Sequence, residues 1–316
     1  MKIKVSAPGK LMLFGEHAVV YGIPCIAFAV NQRLYCQIKE RNDNKIILNF
    51  PDLGIRKYRF NEIIKDKKIS FVSSAIINIL KRAKEKRGFD LTTKSEINSG
   101  FGTSSASVVA TIASLDRFFS LNLKKEDIFD IGYKTVLDVQ GVGSGYDIAT
   151  STYGGMIKYI KGKKPKQIEY PKNLCLIIGH TRIKGDTKKI VEEVREKRKR
   201  YYFFNNAFEL IRICVKEAEK SLRTRNLKRL GVIMNFSHGI LNSMGVSHFK
   251  LEELIFASRD AGALGAKLSG AGGGDCMIAL VTDKSKDKVK STIKEHGGIP
   301  FEVRIDGGVR TEDFHY

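Results

Sequence analysis

Ser99-Gly100-Phe101-Gly102-Thr103-Ser104-Ser105-Ala106 stands between a strand-like run at 91–97 and an apolar helical run at 106–119. The order strand, glycine turn, helix governs how the rest of the chain is read. Glycines let a backbone fold closely around a ligand. Small hydroxyl residues then open a helix, whose first N–H groups and positive dipole end suit a phosphate. A plain Gly/Ser turn with a serine N-cap produces the same text, so this segment alone defines no site. No Gly-Lys-Ser/Thr follows, which excludes a Walker A loop, and the Gly-x-Gly-x-x-Gly spacing of a dinucleotide fold is absent.

Outward from this turn, the N-terminal side is β-rich. Runs at 24–30, 34–38 and 45–48 read as strands, the first two parted by polar Asn31-Gln32-Arg33. A helical period covers 71–86 and stops at Gly88. On the C-terminal side, a helix at 126–139 enters a second glycine loop, and strand character resumes at 156–160. Lys161-Gly162-Lys163-Lys164-Pro165 reads as a polar link, which gives domains 1–165 and 166–316. Beyond it come a strand at 174–179, helices at 186–200, 207–223, 227–236 and 251–263, a strand at 276–281, a helix at 287–296 and a last strand at 301–305. Strands and helices fall in clusters, which reads as an α+β fold.

The chain has 316 residues, 42% hydrophobic and 28% charged, enough apolar material for a real core. No run approaches the roughly 18 apolar residues of a membrane span. The start alternates like a strand and lacks the apolar centre of a signal peptide, so the expected location is the cytoplasm. The five cysteines are scattered with no CxxC pair, which argues against a zinc ribbon or a disulfide framework and reads as reduced thiols. Cys175 and Cys276 lie in apolar runs and read as core. A net charge of +21 favours anionic partners: nucleic acid, acidic lipid or phosphorylated small molecules. The densest basic run, 188–200, is interleaved with Glu192, Glu193 and Glu196 and reads as a solvated helix face. Tyr201 to Phe204 would serve a nucleic acid only if exposed, and core burial is expected.

Two further glycine loops carry chemistry. Gly141-Val142-Gly143-Ser144-Gly145-Tyr146-Asp147 ends on a carboxylate that can orient or deprotonate a hydroxyl, or equally bond its own turn. Ser269-Gly270-Ala271-Gly272-Gly273-Gly274-Asp275 is a tight connection or a glycine wall beside a ligand. Near the start, Lys10 follows Ala7-Pro8-Gly9 and precedes Gly15-Glu16-His17. A lysine near phosphates would neutralise transferring charge.

These segments, in this order, resemble the GHMP small-molecule kinases over nearly the whole chain. Ser6 to Lys10 with Gly15-Glu16-His17-Ala18-Val19-Val20-Tyr21-Gly22 is similar to the family's first motif, Gly100 to Ala106 to its phosphate loop, and Lys267 to Asp275 to its third motif. The resemblance implies an N-terminal domain like ribosomal protein S5 domain 2, a ferredoxin-like C-terminal domain, and ATP with Mg²⁺ as cofactors. Carried over by position, it makes Lys10 and Asp147 catalytic. Gly100, Gly102, Thr103, Ser104 and Ser105 would bind ATP phosphates, with Ser104 also reaching the metal. Glu16, His17, Ser144, Gly145, Gly272, Gly273 and Asp275 would line the acceptor. Arg182 and Lys184, in the segment after the strand at 174–179, are candidates for its anionic groups.

Within the family the motifs divide. Gly15 to Gly22 is similar to the mevalonate kinases. Gly143-Ser144-Gly145-Tyr146-Asp147-Ile148-Ala149 and Gly273-Gly274-Asp275-Cys276 resemble the phosphomevalonate kinases. Val136 occupies the position of a metal-binding Glu in mevalonate kinases, and Asp138, two residues on, points elsewhere on a helix. The resulting expectation is phosphorylation of 5-phosphomevalonate, with mevalonate or mevalonate 3-phosphate as alternative acceptors. The partner is then a small molecule, with no nucleic acid and no membrane, and self-association as a homodimer is admitted. A basic RNA-binding protein with an S5-like domain is the rival from another class; it would have no need of Lys10 with Asp147.

Overall fold

A computed structural model describes residues 1–51, 54–59, 67–85 and 87–313. The chain forms two compact units that interleave in sequence. Met1–Lys10, Ala29–Gly155 and Asp306–Tyr316 make the first, Leu11–Phe28 and Met156–Ile305 the second. The sequence reading places a single boundary at 165/166. The interleaving arises because two long strands, β1 (Lys2–Phe14) and β2 (Cys25–Glu40), each contribute residues to both units.

The first unit continues with β3 (Lys45–Phe50), β4 (Gly54–Arg59), α1 (Ser70–Leu80), β5 (Phe89–Ser95), α2 (Thr103–Phe119), α3 (Lys125–Gln140) and α4 (Tyr146–Tyr153). Its sheet runs Arg310–Thr311, β1, β2, β5, β3, β4. The β3–β5 pair is parallel, in register Ile46↔Phe89; β2–β5 and β3–β4 are antiparallel. Inward residues of the sheet, such as Cys36, Ile38, Leu48 and Leu91, share one core with Val72 and Ile76 of α1, Val108 and Ile112 of α2, and Ile131 of α3. The segment read as two strands around Asn31-Gln32-Arg33 is one continuous strand. Arg33 is polar in sequence yet 2% exposed. Its guanidinium donates to Ser6 Oγ at 2.6 Å, Asp306 Oδ2 at 2.7 Å and Gly308 O at 2.7 Å, so the strand has no reason to break there. The helix read over 71–86 ends at Leu80; Lys86 lies outside the described residues.

Arg33→Met is expected to destabilise the fold by about 3 kcal/mol, the low end for breaking a buried ion pair. The low end applies because Asp306 keeps 24% of its side chain in water. Urea unfolding followed by circular dichroism reads this. A midpoint matching the wild type would show that the bonds to Ser6 and Gly308 contribute nothing net.

In the second unit, β6 (Met156–Tyr159) pairs with Cys25–Phe28 of β2 and with β7 (Lys166–Gln167). A separate antiparallel sheet runs β11 (Ile299–Val303), β8 (Cys175–His180), β10 (Cys276–Val281), β9 (Gly265–Ser269). β10 is buried at every position, as its unbroken apolar text requires. Helices α7 (Leu227–Ser243), α8 (Phe249–Asp260) and α9 (Lys286–Glu295) pack on this sheet. Helices α5 (Thr187–Arg200) and α6 (Phe204–Arg223) precede them. α5 buries only Val194, in keeping with a solvated charged face. The expected burial of Tyr201 to Phe204 fails for most of the run: Tyr202 is 84% and Phe203 63% exposed, Tyr201 is exposed too, and only Phe204 is buried. They sit where α5 ends and α6 begins, and only Phe204 falls on the inward stripe of α6 with Phe208 and Ile211.

Among the described residues, no helix is long and apolar enough to cross a membrane. All five cysteines are free; Cys276 is buried and Cys175 half-buried. The chain is thus mixed α and β in two parts, as expected.

Candidate active site

In the first unit, three sequence-predicted elements meet at Lys10. Its backbone N–H donates to Phe101 O at 2.7 Å, which fixes the strand against the glycine loop. Gly102 has φ +83°, and a Cβ there would lie 2.6 Å from Lys10 Cε and 3.0 Å from its Cγ. Glycine is needed at 102 on both counts: the left-handed backbone and the lysine stem laid across it. On its other side, Lys10 Nζ donates to Tyr146 Oη at 3.0 Å and stands 5.1 Å from the ring centroid. A cation over an aromatic face is held by the ring's quadrupole.

Gly102 is also the N-cap of α2, so the first amides of that helix open directly beside Lys10. Ser104 is exposed on this first turn, and Thr103 is half-buried. Ser105 faces the other way: its hydroxyl is buried and donates to Gly102 O at 2.8 Å. Of the two serines predicted to touch phosphate, Ser104 is the exposed one, and the Ser105 hydroxyl closes the turn. Gly100 is exposed with φ +82°.

The second glycine loop becomes a helix one residue before the candidate base. Gly145, φ +87°, caps α4, and Asp147 lies in its first turn. There the helix dipole favours the carboxylate. Ser144 is half-buried and Gly145 buried. Tyr133 Oη donates to Gly143 O at 3.1 Å and steadies the loop. The Tyr133 hydroxyl is pushed up by burial first and by the Asp147 charge second. Val136 is buried, and a Cβ on Gly143 would lie 3.1 Å from its Cγ1, so the aliphatic side chain packs under the loop. Asp138 is turned away, bonded to Asn78 Nδ2 and Lys134 Nζ, each at 3.0 Å.

In the second unit, the segment after β1 meets the third glycine motif. His17 has φ +61°, a strained value for a non-glycine residue. Its Nε2 donates to Ala271 O at 2.9 Å. Burial pushes the imidazole down to about 4, so it is neutral at pH 7, and with Nε2 carrying the proton, Nδ1 keeps a lone pair. Ser269 Oγ donates to Met12 O at 2.8 Å, a second tie between the same segments. Glu16, one of the acceptor candidates, is fully buried in an ion pair with Lys267. Burial pushes the Glu16 carboxyl up and the Lys267 ammonium down, and each charge opposes the other's shift.

The glycines at 272–274 make room mainly for protein. Cβ atoms there would lie 1.9 Å from Val246 O, 2.4 Å from Ile190 Cδ1 and 2.5 Å from Ile183 O. Asp275 shares this packing: its N–H donates to Ile183 O at 2.7 Å and its carbonyl accepts from Thr181 N–H at 2.8 Å, with φ +53°. Arg182 and Lys184 are exposed on the facing segment, Arg182 with φ +65°. His180, not singled out by sequence, sits beside them. Its Nδ1 accepts from Arg182 N–H at 3.0 Å, and its buried Nε2 finds no hydrogen-bond partner among the described residues.

Sequence reasoning missed two residues that matter here. Tyr146 stands in the text of a glycine loop, where an aromatic residue beside a candidate carboxylate is the signal. Lys267 stands inside a motif, where a lysine between Ala266 and Leu268 in a strand has to find a buried anion.

The GHMP kinases N-terminal domain family matches residues 70–155, and the GHMP kinases C-terminal family matches 218–299. The mevalonate kinase of Thermococcus sibiricus is 35% identical, covering 99% of this chain and 99% of that protein. A crystal structure of the Methanococcus jannaschii mevalonate kinase superposes with a TM-score of 0.87 at 28% identity, over 97% of this chain and 99% of that one. The Streptococcus pneumoniae phosphomevalonate kinase, in complex with phosphomevalonate and AMPPNP, has a TM-score of 0.82 but 18% identity, over 95% and 99%. The protein is a phosphotransferase acting on a small molecule. It belongs to the GHMP kinases, a family whose chemistry uses ATP.

Proposed function

We propose that this kinase transfers the γ-phosphoryl group of ATP to the 5-hydroxyl of mevalonate. The observation that carries phosphoryl transfer is Lys10, held between the Gly102 cap of α2 and the Tyr146 ring that precedes Asp147. Phosphoryl transfer asks for positioning and charge stabilisation more than for covalent work. Lys10 and the first amides of α2 supply positive potential for the phosphates. Asp147 orients the acceptor hydroxyl and takes its proton. Arg182 and Lys184 offer cations to the acceptor's carboxylate.

The choice of mevalonate revises the expectation of a phosphorylated acceptor. Relatives named mevalonate kinase are 35% identical over full length, whereas the phosphomevalonate kinase structure at 18% speaks for the fold alone. Two motif differences lean the other way, at Asp275 and Val136. The backbone of Asp275 is bonded to Ile183 and Thr181, and Val136 packs beneath Gly143.

Mg²⁺ suits the donors present. It takes oxygen ligands, typically one or two from protein and the rest from phosphates and water. Ser104 is the exposed hydroxyl at the start of α2 that would hold it. When bound, the ion neutralises charge on the phosphates. Val136 supplies no ligand where a glutamate would, which leaves more of the coordination to ATP oxygens.

Phosphorus-31 NMR of ATP–Mg²⁺ turnover, run separately with mevalonate, its 5-phosphate and its 3-phosphate, tests this. A new monophosphate ester from mevalonate is the expected result. A diphosphate doublet pair from the 5-phosphate alone would overturn the acceptor assignment.

A further inference from the structure

Glu16 and Lys267 are charged, fully buried and given no task by the transfer chemistry above. Lys267 Nζ also donates to Leu268 O at 2.6 Å and stands 5.8 Å from the Phe14 ring centroid. It therefore joins β9, at the root of the third glycine motif, to the turn that follows β1. That turn is under constraint. Gly15 has φ +99°, with a Cβ there only 2.5 Å from Cys25 Cβ, and His17 is left-handed. A left-handed backbone at a non-glycine residue such as His17 persists only where its surroundings over-determine it. One residue beyond Glu16, the His17 ring reaches Ala271 O; two residues beyond Lys267, Ser269 reaches Met12.

A buried ion pair is a poor way to gain stability, because desolvation offsets most of its attraction. Apolar or neutral side chains of similar volume would serve packing as well. What the pair supplies is direction: a buried ammonium tolerates its anion in one place. We infer that Lys267 is a positioning residue for the acceptor end of the site, fixing Glu16 and through it the strained turn that presents His17. The inference rests on the proposed mevalonate reading only in its choice of acceptor.

The test removes both charges at once, in Glu16→Gln/Lys267→Met and, as a second version, Glu16→Leu/Lys267→Met. Neither leaves an unpaired buried charge, so a melting temperature within about 5 °C of the wild type is expected. The KM for mevalonate should rise at least about tenfold while the KM for ATP stays within about twofold, since the ATP loop lies on residues the pair does not touch. Folded double variants with wild-type KM for mevalonate would overturn the inference and leave the pair a packing feature. If neither double variant folds, the pair is a folding requirement and the positioning role falls. Wild-type turnover is measured first: absence of mevalonate turnover there would sink the acceptor assignment, and the same ratios would then be read with the acceptor that does turn over.

Discussion

Asp147→Asn is expected to lower kcat by roughly 10³-fold, within the 10²–10⁴ range for loss of a positioned general base. Asparagine keeps the shape and can still accept a hydrogen bond, but it cannot take the acceptor's proton. The loss corresponds to about 4 kcal/mol of transition-state stabilisation. ATP binding should persist, because Gly100, Gly102 and the start of α2 are formed by other segments. Stability should change little. Asp147 is half-buried, and removing a carboxylate from a first helical turn costs about 0.3–1 kcal/mol. A coupled ADP-release assay gives kcat, and calorimetry gives nucleotide affinity. Turnover within about threefold of the wild type, with ATP bound normally, would remove Asp147 from the chemistry.

Lys10→Met carries the second largest effect. Methionine preserves the stem that lies across Gly102 and reaches toward the Tyr146 ring, but deletes the ammonium. Loss of one preorganised charge donor costs about 10²–10³-fold in kcat. Lys10→Arg is not expected to rescue. The guanidinium is a broad planar fork rather than a compact charge, and the space between Gly102 and Tyr146 is shaped to a single extended stem. If Lys10→Arg instead restored most of the rate, charge alone would matter, and the clamp formed by Gly102 and Tyr146 would be incidental. Measuring both variants with saturating acceptor separates these outcomes.

Much of the molecule was legible in one dimension. The strand–glycine–helix order at 91–119 and the unbroken apolar text of β10 follow from period and composition, and the structure has them. The same holds for the candidate site at its broadest level: glycine loops, a lysine and a carboxylate in family order. The failures have physical causes. Arg33 looks like a break because polarity is a local property, whereas its burial depends on acceptors at Ser6, Asp306 and Gly308 that are far away in sequence. Tyr201 to Phe203 look buried because they are apolar, yet apolar residues at a helix junction reach a core only if the backbone turns them inward.

Asp275 and Val136 differ from the pattern of one branch of the family, and text alone assigns such differences to substrate. In three dimensions the Asp275 backbone is bonded to Ile183 and Thr181, and Val136 packs under Gly143, contacts that the text does not show. What the sequence by itself determined was the family, the class of chemistry and the positions of the glycine loops, because local backbone needs and motif order are written along the chain. Only the tertiary structure decided which serine faces outward, that Tyr146 holds Lys10, and that Glu16 is bound to Lys267. Those facts depend on which side chains from distant segments share a buried space, where a charge must find its partner or not be buried at all.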